Sequence, residues 1–263
     1  MDATSTHPLF TPLTAGAFAL AHRVVMPAML RHRADPPDGV PSALMARHYA
    51  QRATHGGLIV AETAWTHARG HVDGREPGLY TPEQVNAWRR VTDGVHARGG
   101  LVVAQLGDPL PRQVDPPDTL VRTLDVDASL RHLRDAAECA GDAGFDGVEL
   151  LAALPEHFFD APPDARRDEY GGGPPNRVRL LVDMVHTLGG VWPASRLGVR
   201  LAAVSAGRRR RHADALSTFQ LAASSAFQAG VAYVHVGPPW PPVPGDGAAD
   251  VGASLAALRG RLR

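Results

Sequence analysis

The 263-residue chain contains no lysine: all 27 of its Lys+Arg positions are arginine. Chemistry that needs a lysine amine, Schiff-base formation above all, is therefore excluded. There is one cysteine, Cys139, so no internal disulfide can form. Its neighbours Ala136, Ala137 and Ala140 share a helical pattern, which predicts a small core residue rather than a reactive thiol. No run of about 18 apolar residues exists to span a membrane. The opening "MDATSTHPLF" lacks the basic start and long apolar stretch of a signal peptide. The expectation is a soluble, cytoplasmic protein. Formal net charge is zero, and the single basic run, Arg208–Arg211, reads as a solvated loop, so nucleic acid is a poor partner. No metal-ligand spacing stands out.

Apolar runs bounded by turn residues alternate with amphipathic stretches, the pattern of an α/β protein. Strands are predicted at 23–29, 57–63, 100–106, 146–151, 196–202 and 231–236. Helices are predicted at 41–55, 82–98, 127–143, 175–189 and 213–229, with a weaker one at 250–261. Thr81 followed by Pro82 suits a helix N-terminus, and Asp127 and Asp214 are expected to cap two others. The first strand is not followed by G-x-G-x-x-G, which removes the main support for a dinucleotide-binding sheet. A (β/α) barrel is favoured, as a single domain over 1–263. Six βα units are visible where a closed barrel has eight, so the expectation is an incomplete barrel lacking its last two units. The Pro-rich stretch "GPPWPPVPGDG" (237–247) follows the sixth strand. Unpaired edges on the first and sixth strands predict a homodimer or a partner protein across the gap.

Several segments, in order, resemble the old yellow enzyme family of FMN-dependent NAD(P)H oxidoreductases. They are "LFTPLTAGAFALAHRVVMPAMLRHRA" (9–34), "YAQRATHGGLIVAET" (49–63), "PGLYTPEQVNAWRRVTDGVHARGGLVVAQL" (77–106), "AGFDGVEL" (143–150) and "RRDEYGGGPPNRVRLL" (166–181), with weaker "LGVRLA" and "VAYVHV". The resemblance implies FMN as cofactor, NAD(P)H as electron donor and a small-molecule substrate. It places Gln105 and Arg200, at two strand ends, as the flavin amide and flavin arginine. Backbone contacts to the flavin would come from Ala28, Met29 and Thr63.

The sequence departs from the family at the substrate side. Leu30 replaces the threonine or cysteine that hydrogen-bonds the flavin. The stretch "DGVELLAALPEHFFD" (146–160) leaves the fourth strand and is read as entering a loop. There the family has a His-x-x-His or His-x-x-Asn pair that holds the substrate's activating oxygen. Leu151 and Leu154 keep its spacing, and Glu156 stands in place of the proton-donating tyrosine. Leucine donates no hydrogen bond, and losing one oxyanion donor typically raises a barrier by about 2.7–4 kcal/mol. Leu30, Leu151 and Leu154 are thus expected to line a remodelled, apolar substrate pocket, with Glu156 and His157 as replacement acids and impaired ene-reduction. Asp108 stands where the family has a histidine or a nearby aromatic. The family's phosphate cradle belongs to a seventh and eighth strand that are not visible. Two other readings follow from these departures. One is a flavin-free descendant, either a binding subunit or an acid–base enzyme using Glu156, His157 and Asp108 around an apolar cavity. The other is a truncated product without stable function.

Overall fold

A computed structural model describes residues 7–68, 74–108, 119–205, 213–238 and 248–259. The basic run Arg208–Arg211 and most of the Pro-rich stretch lie outside the described residues. In chain order the strands are β1 (Leu13–Ala15), β2 (Phe18–Leu20), β3 (Val25–Met26), β4 (Leu58–Val60), β5 (Ala64–Trp65), β6 (Leu101–Gly107), β7 (Gly147–Leu151), β8 (Leu197–Ala202) and β9 (Tyr233–Gly237). The helices are α1 (Ala43–Ala50), α2 (Pro82–His96), α3 (Thr119–Thr123), α4 (Val126–Asp142), α5 (Ala153–Phe159), α6 (Pro174–Gly189), α7 (Ala215–Gln228) and α8 (Ala248–Leu258).

The main sheet runs β3-β4-β6-β7-β8-β9, with β5 also pairing β6, and every pairing in it is parallel. Helices intervene between successive strands, which is how parallel neighbours must be connected. The sheet is the curled wall of an incomplete (β/α) barrel, as the sequence predicts, with β3 and β9 as its outer strands among the described residues.

Side chains alternate across this wall. Val102, Ala104, Leu106, Val148, Leu150, Val199 and Leu201 pack with the helices in one large core. The residues between them face the barrel axis, because successive Cβ atoms in a strand point to opposite faces. At the foot of the barrel the antiparallel β1–β2 hairpin closes the interior: Phe18 and Leu20 pack with Leu58 and Val103 in a second, smaller core. Gly147 makes room for that plug, since a Cβ there would fall 2.7 Å from Phe18 Cζ and 2.4 Å from the Arg196 carbonyl oxygen.

The local signals are physical. Thr81 and Gln84 form a reciprocal capping box at α2, with Pro82 in its first turn, where the missing N–H removes no helix bond. β3 is much shorter than expected because Pro27 follows it and cannot donate to a ladder. Two expected caps are corrected. Asp125, not Asp127, caps α4 by accepting from the Ala128 amide at 2.9 Å. Asp214 precedes α7 but makes no side-chain cap bond there; its carboxylate pairs instead with Arg177. Cys139 is half-buried against the core, and burial pushes its thiol up, away from thiolate reactivity. Among the described residues, no helix is long and apolar enough to cross a membrane.

Candidate active site

The axis-facing side chains form three levels. The lowest is the apolar plug, with Tyr233 packed against it. Burial, followed by the nearby Glu149 charge, raises the Tyr233 phenol well above its ordinary value.

The middle level is a chain of polar groups, buried from Thr63 to Glu149 and partly exposed at His235. Thr63, Gln105 and Glu149 are respectively 6%, 2% and 0% exposed. The Thr63 hydroxyl donates to Gln105 Oε1. Gln105 Nε2 donates to Glu149 Oε1 at 2.6 Å, and His235 Nδ1 lies 3.2 Å from Glu149 Oε2. Since a carboxylate only accepts, the imidazole must carry its proton on Nδ1 to complete that bond. Sheet register brings these residues together: Gln105 pairs opposite Glu149, and Glu149 opposite Gly198, itself opposite Tyr233.

The upper level lies at the carboxyl ends of the strands, where barrel enzymes build their sites. Leu151 and Arg200 are register partners, as are Arg200 and His235. Arg200 is half-buried, and its guanidinium has no hydrogen bond or ion pair to any described residue; only its backbone is engaged, the carbonyl accepting from the Ala152 amide at 3.0 Å. Its guanidinium lies flat against Gly237, where a Cβ would fall 2.7 Å from Nη2. The glycine thus leaves a face that a side chain would fill. Leu151 reaches across the mouth towards Gly107, whose Cβ position is 3.3 Å from Leu151 Cδ2.

Ala28, Met29 and Leu30 lie in the irregular segment after β3, with Ala28 and Leu30 half-buried and Met29 49% exposed. The sequence gives no warning of what holds this segment. Buried Glu62 does: its Oε2 accepts from the Arg31 amide at 2.9 Å and its Oε1 from the Tyr49 hydroxyl at 3.1 Å. Burial raises the Glu62 carboxyl above its ordinary value.

The expected substitute acids are not gathered here. The stretch after β7 is the helix α5, not a loop, because Pro155 falls in its first turn, where no N–H is needed. On it, Glu156 accepts from the Ala202 amide at 2.5 Å and ties the helix to the end of β8. His157 is exposed. Leu154 is 2% exposed and belongs to the core beneath the helices, so it is not an accessible pocket wall. Asp108 points away from the axis and pairs with His67 at 2.9 Å, beside His132 on α4. The acid–base reading therefore loses its constellation. The missed members of the site are Glu149 and His235. Each is a polar residue inside an apolar strand, at the same alternation as Gln105 or Arg200, and that is the signal that could have found them.

The parallel barrel wall thus carries an amide on β6 and, two strands away on β8, an arginine whose side chain is unpaired among the described residues. The residues fit the ring of a flavin: Gln105 retains one free N–H and one free lone pair, and Arg200 retains its full donor set. The chain belongs to the NADH:flavin oxidoreductase / NADH oxidase family, whose model matches residues 8–120 and 118–246. It is 35% identical over 225 residues to the putative 12-oxophytodienoate reductase 4 of Oryza sativa subsp. japonica, covering 74% of this chain and 58% of that protein. It is 33% identical over 228 residues to the flavin oxidoreductase hxnT of Emericella nidulans, covering 74% and 59%. Among solved structures it resembles the old yellow enzyme homologue from Zymomonas mobilis, with TM-score 0.74, 28% identity, and coverage of 88% of this chain and 73% of that one. It also resembles a morphinone reductase mutant in complex with tetrahydroNAD, with TM-score 0.76, 27% identity, and coverage of 98% and 79%. The chain spans less than two thirds of these two curated relatives' length.

Proposed function

We propose that this protein binds FMN through the ring-facing wall of the barrel and works as an oxidoreductase of the old yellow enzyme type, with NAD(P)H as donor. FMN, when bound, supplies the hydride-carrying chemistry. Arg200 would hold the electron-rich N1–O2 side of the ring, and Gln105 would read its imide edge. The segment Ala28–Leu30, held by Glu62, would offer backbone contacts, and Leu30 would offer no side-chain hydrogen bond. The observation that carries this reading is Arg200. A half-buried guanidinium with no partner among the described residues is poorly stabilised unless an anion or an electron-rich group completes it.

On the substrate side we propose altered, weakened ene-reduction. Leu151 occupies the position from which an oxyanion donor would act, and it donates nothing. Glu156 is engaged with Ala202, so it is not free to replace the lost acid.

Titration of the purified protein with FMN, followed by quenching of flavin fluorescence, tests the first part. Saturable binding near one equivalent is expected, and absence of any uptake would overturn the reading. NAD(P)H oxidation with an activated enone against oxygen alone tests the second. Enone turnover matching that of a family member with an intact histidine pair would sink the claim of weakened ene-reduction.

A further inference from the structure

A glutamine amide has two orientations of nearly equal shape, and exchanging its oxygen and nitrogen reverses the order of donor and acceptor that it presents. Of the two neighbours of the Gln105 amide, Thr63 cannot choose between them. A hydroxyl donates or accepts as required, so it would bond the oxygen or the NH2 group equally well. Glu149 can choose. As a carboxylate it only accepts, so only the NH2 group can face it, as it does at 2.6 Å. Glu149 is 0% exposed, and His235 occupies its other oxygen. Both groups on the Gln105 amide are thereby half used, and in a fixed sense. One N–H is bonded to Glu149 on β7 and one lone pair to Thr63, which leaves one N–H and one lone pair in a fixed order.

We propose that Glu149 is a positioning residue that sets the donor–acceptor order of Gln105, and with it which edge of an imide ring the barrel accepts. Resting on the flavin reading above, the inference deepens it. The flavin imide N–H is flanked by carbonyls on both sides, so a free amide would pair with either side, whereas a fixed amide pairs with one. Glu149 acts through Gln105 and not on the ligand itself.

The test uses Glu149→Gln, which keeps the volume and hydrogen-bonding capacity of the site but restores a donor. If Glu149 were merely a structural filler, this variant would behave as the wild type. Two readouts apply. First, in the ligand-free, 15N-labelled protein, the Gln105 side-chain NH2 signals, assigned by their loss in Gln105→Glu, should show proximity to residue 149 in the wild type. In Glu149→Gln they should double or shift towards the Thr63 methyl. Second, FMN and 3-methyl-FMN, which lacks the imide N–H, should differ about five- to tenfold in affinity for the wild type, the worth of one hydrogen bond. That discrimination should fall severalfold in the variant. Unchanged amide signals in Glu149→Gln would overturn the proposal, as would undiminished discrimination. Should that variant fail to fold, Thr63→Val decides the matter: the amide should keep its wild-type orientation, and scrambling there would assign the choice to Thr63 instead. If the wild type takes up neither flavin, the function proposed above fails, while the amide signals still decide the role of Glu149.

Discussion

Arg200 and Gly237 are in direct contact, guanidinium against backbone: a Cβ on Gly237 would fall 2.7 Å from Nη2 and 3.0 Å from Cζ. The guanidinium has no partner among the described residues, so its position is set by this packing. Gly237→Ala should displace it without unfolding the barrel, because the far end of a flexible side chain can move. FMN affinity should drop about tenfold, and Arg200→Leu should lower it further, both read by fluorescence titration. Binding unaffected by Arg200→Leu would remove the arginine from the site.

The two leucines that keep the family's spacing should respond differently. Leu151 faces the barrel axis and is half-buried, so Leu151→His should fold normally. Leu154 is buried in the core, and Leu154→His would place a polar ring there while losing apolar packing. A cost of about 2 kcal/mol or more is expected, seen as a lowered denaturant midpoint. The double variant should therefore gain little ene-reductase activity.

Glu156 is expected to matter for stability through its bond to the Ala202 amide. Glu156→Ala leaves that partly buried donor without its acceptor and should cost about 1–2 kcal/mol. Glu156→Gln retains an oxygen acceptor and should stay close to the wild type. Equal losses in urea unfolding for both variants would count against this account.

Glu62 gives a pH dependence with a defined sign. Burial, the largest influence, raises its carboxyl in the folded state, opposed by the bonds from the Arg31 amide and the Tyr49 hydroxyl. A raised carboxyl binds its proton more tightly when folded. The stability this contributes is fully present below the unfolded value, about 4.3, and is lost as pH rises through the folded value. The stability of the wild type minus that of Glu62→Gln should therefore decrease with rising pH across that window. Urea midpoints of the two proteins measured at several pH values check it, and a difference that stays constant or increases would refute it.

The sequence by itself determined the alternation of strands and helices, the capping box at Thr81, the barrel class and the strand ends where Gln105 and Arg200 stand. These follow from residues within a turn or a pleat of one another, where periodicity and cap chemistry act locally. Local reading failed at α5, where the stretch after the fourth strand reads as a loop but forms a helix with Pro155 in its first turn, and at Asp125, two positions from the expected cap.

Only the tertiary structure decided which polar groups meet. Thr63 and Gln105 are 42 residues apart, Gln105 and Glu149 are 44 apart, and Glu149 and His235 are 86 apart. Strand register, fixed by packing the apolar face of every strand beneath the helices, sets those encounters. The same packing drew Leu154 into the core and committed Glu156 to the end of β8. Among the described residues it left the Arg200 guanidinium without a partner at the mouth of the barrel, while Glu149, an axis-facing carboxylate, is bonded to Gln105 and His235.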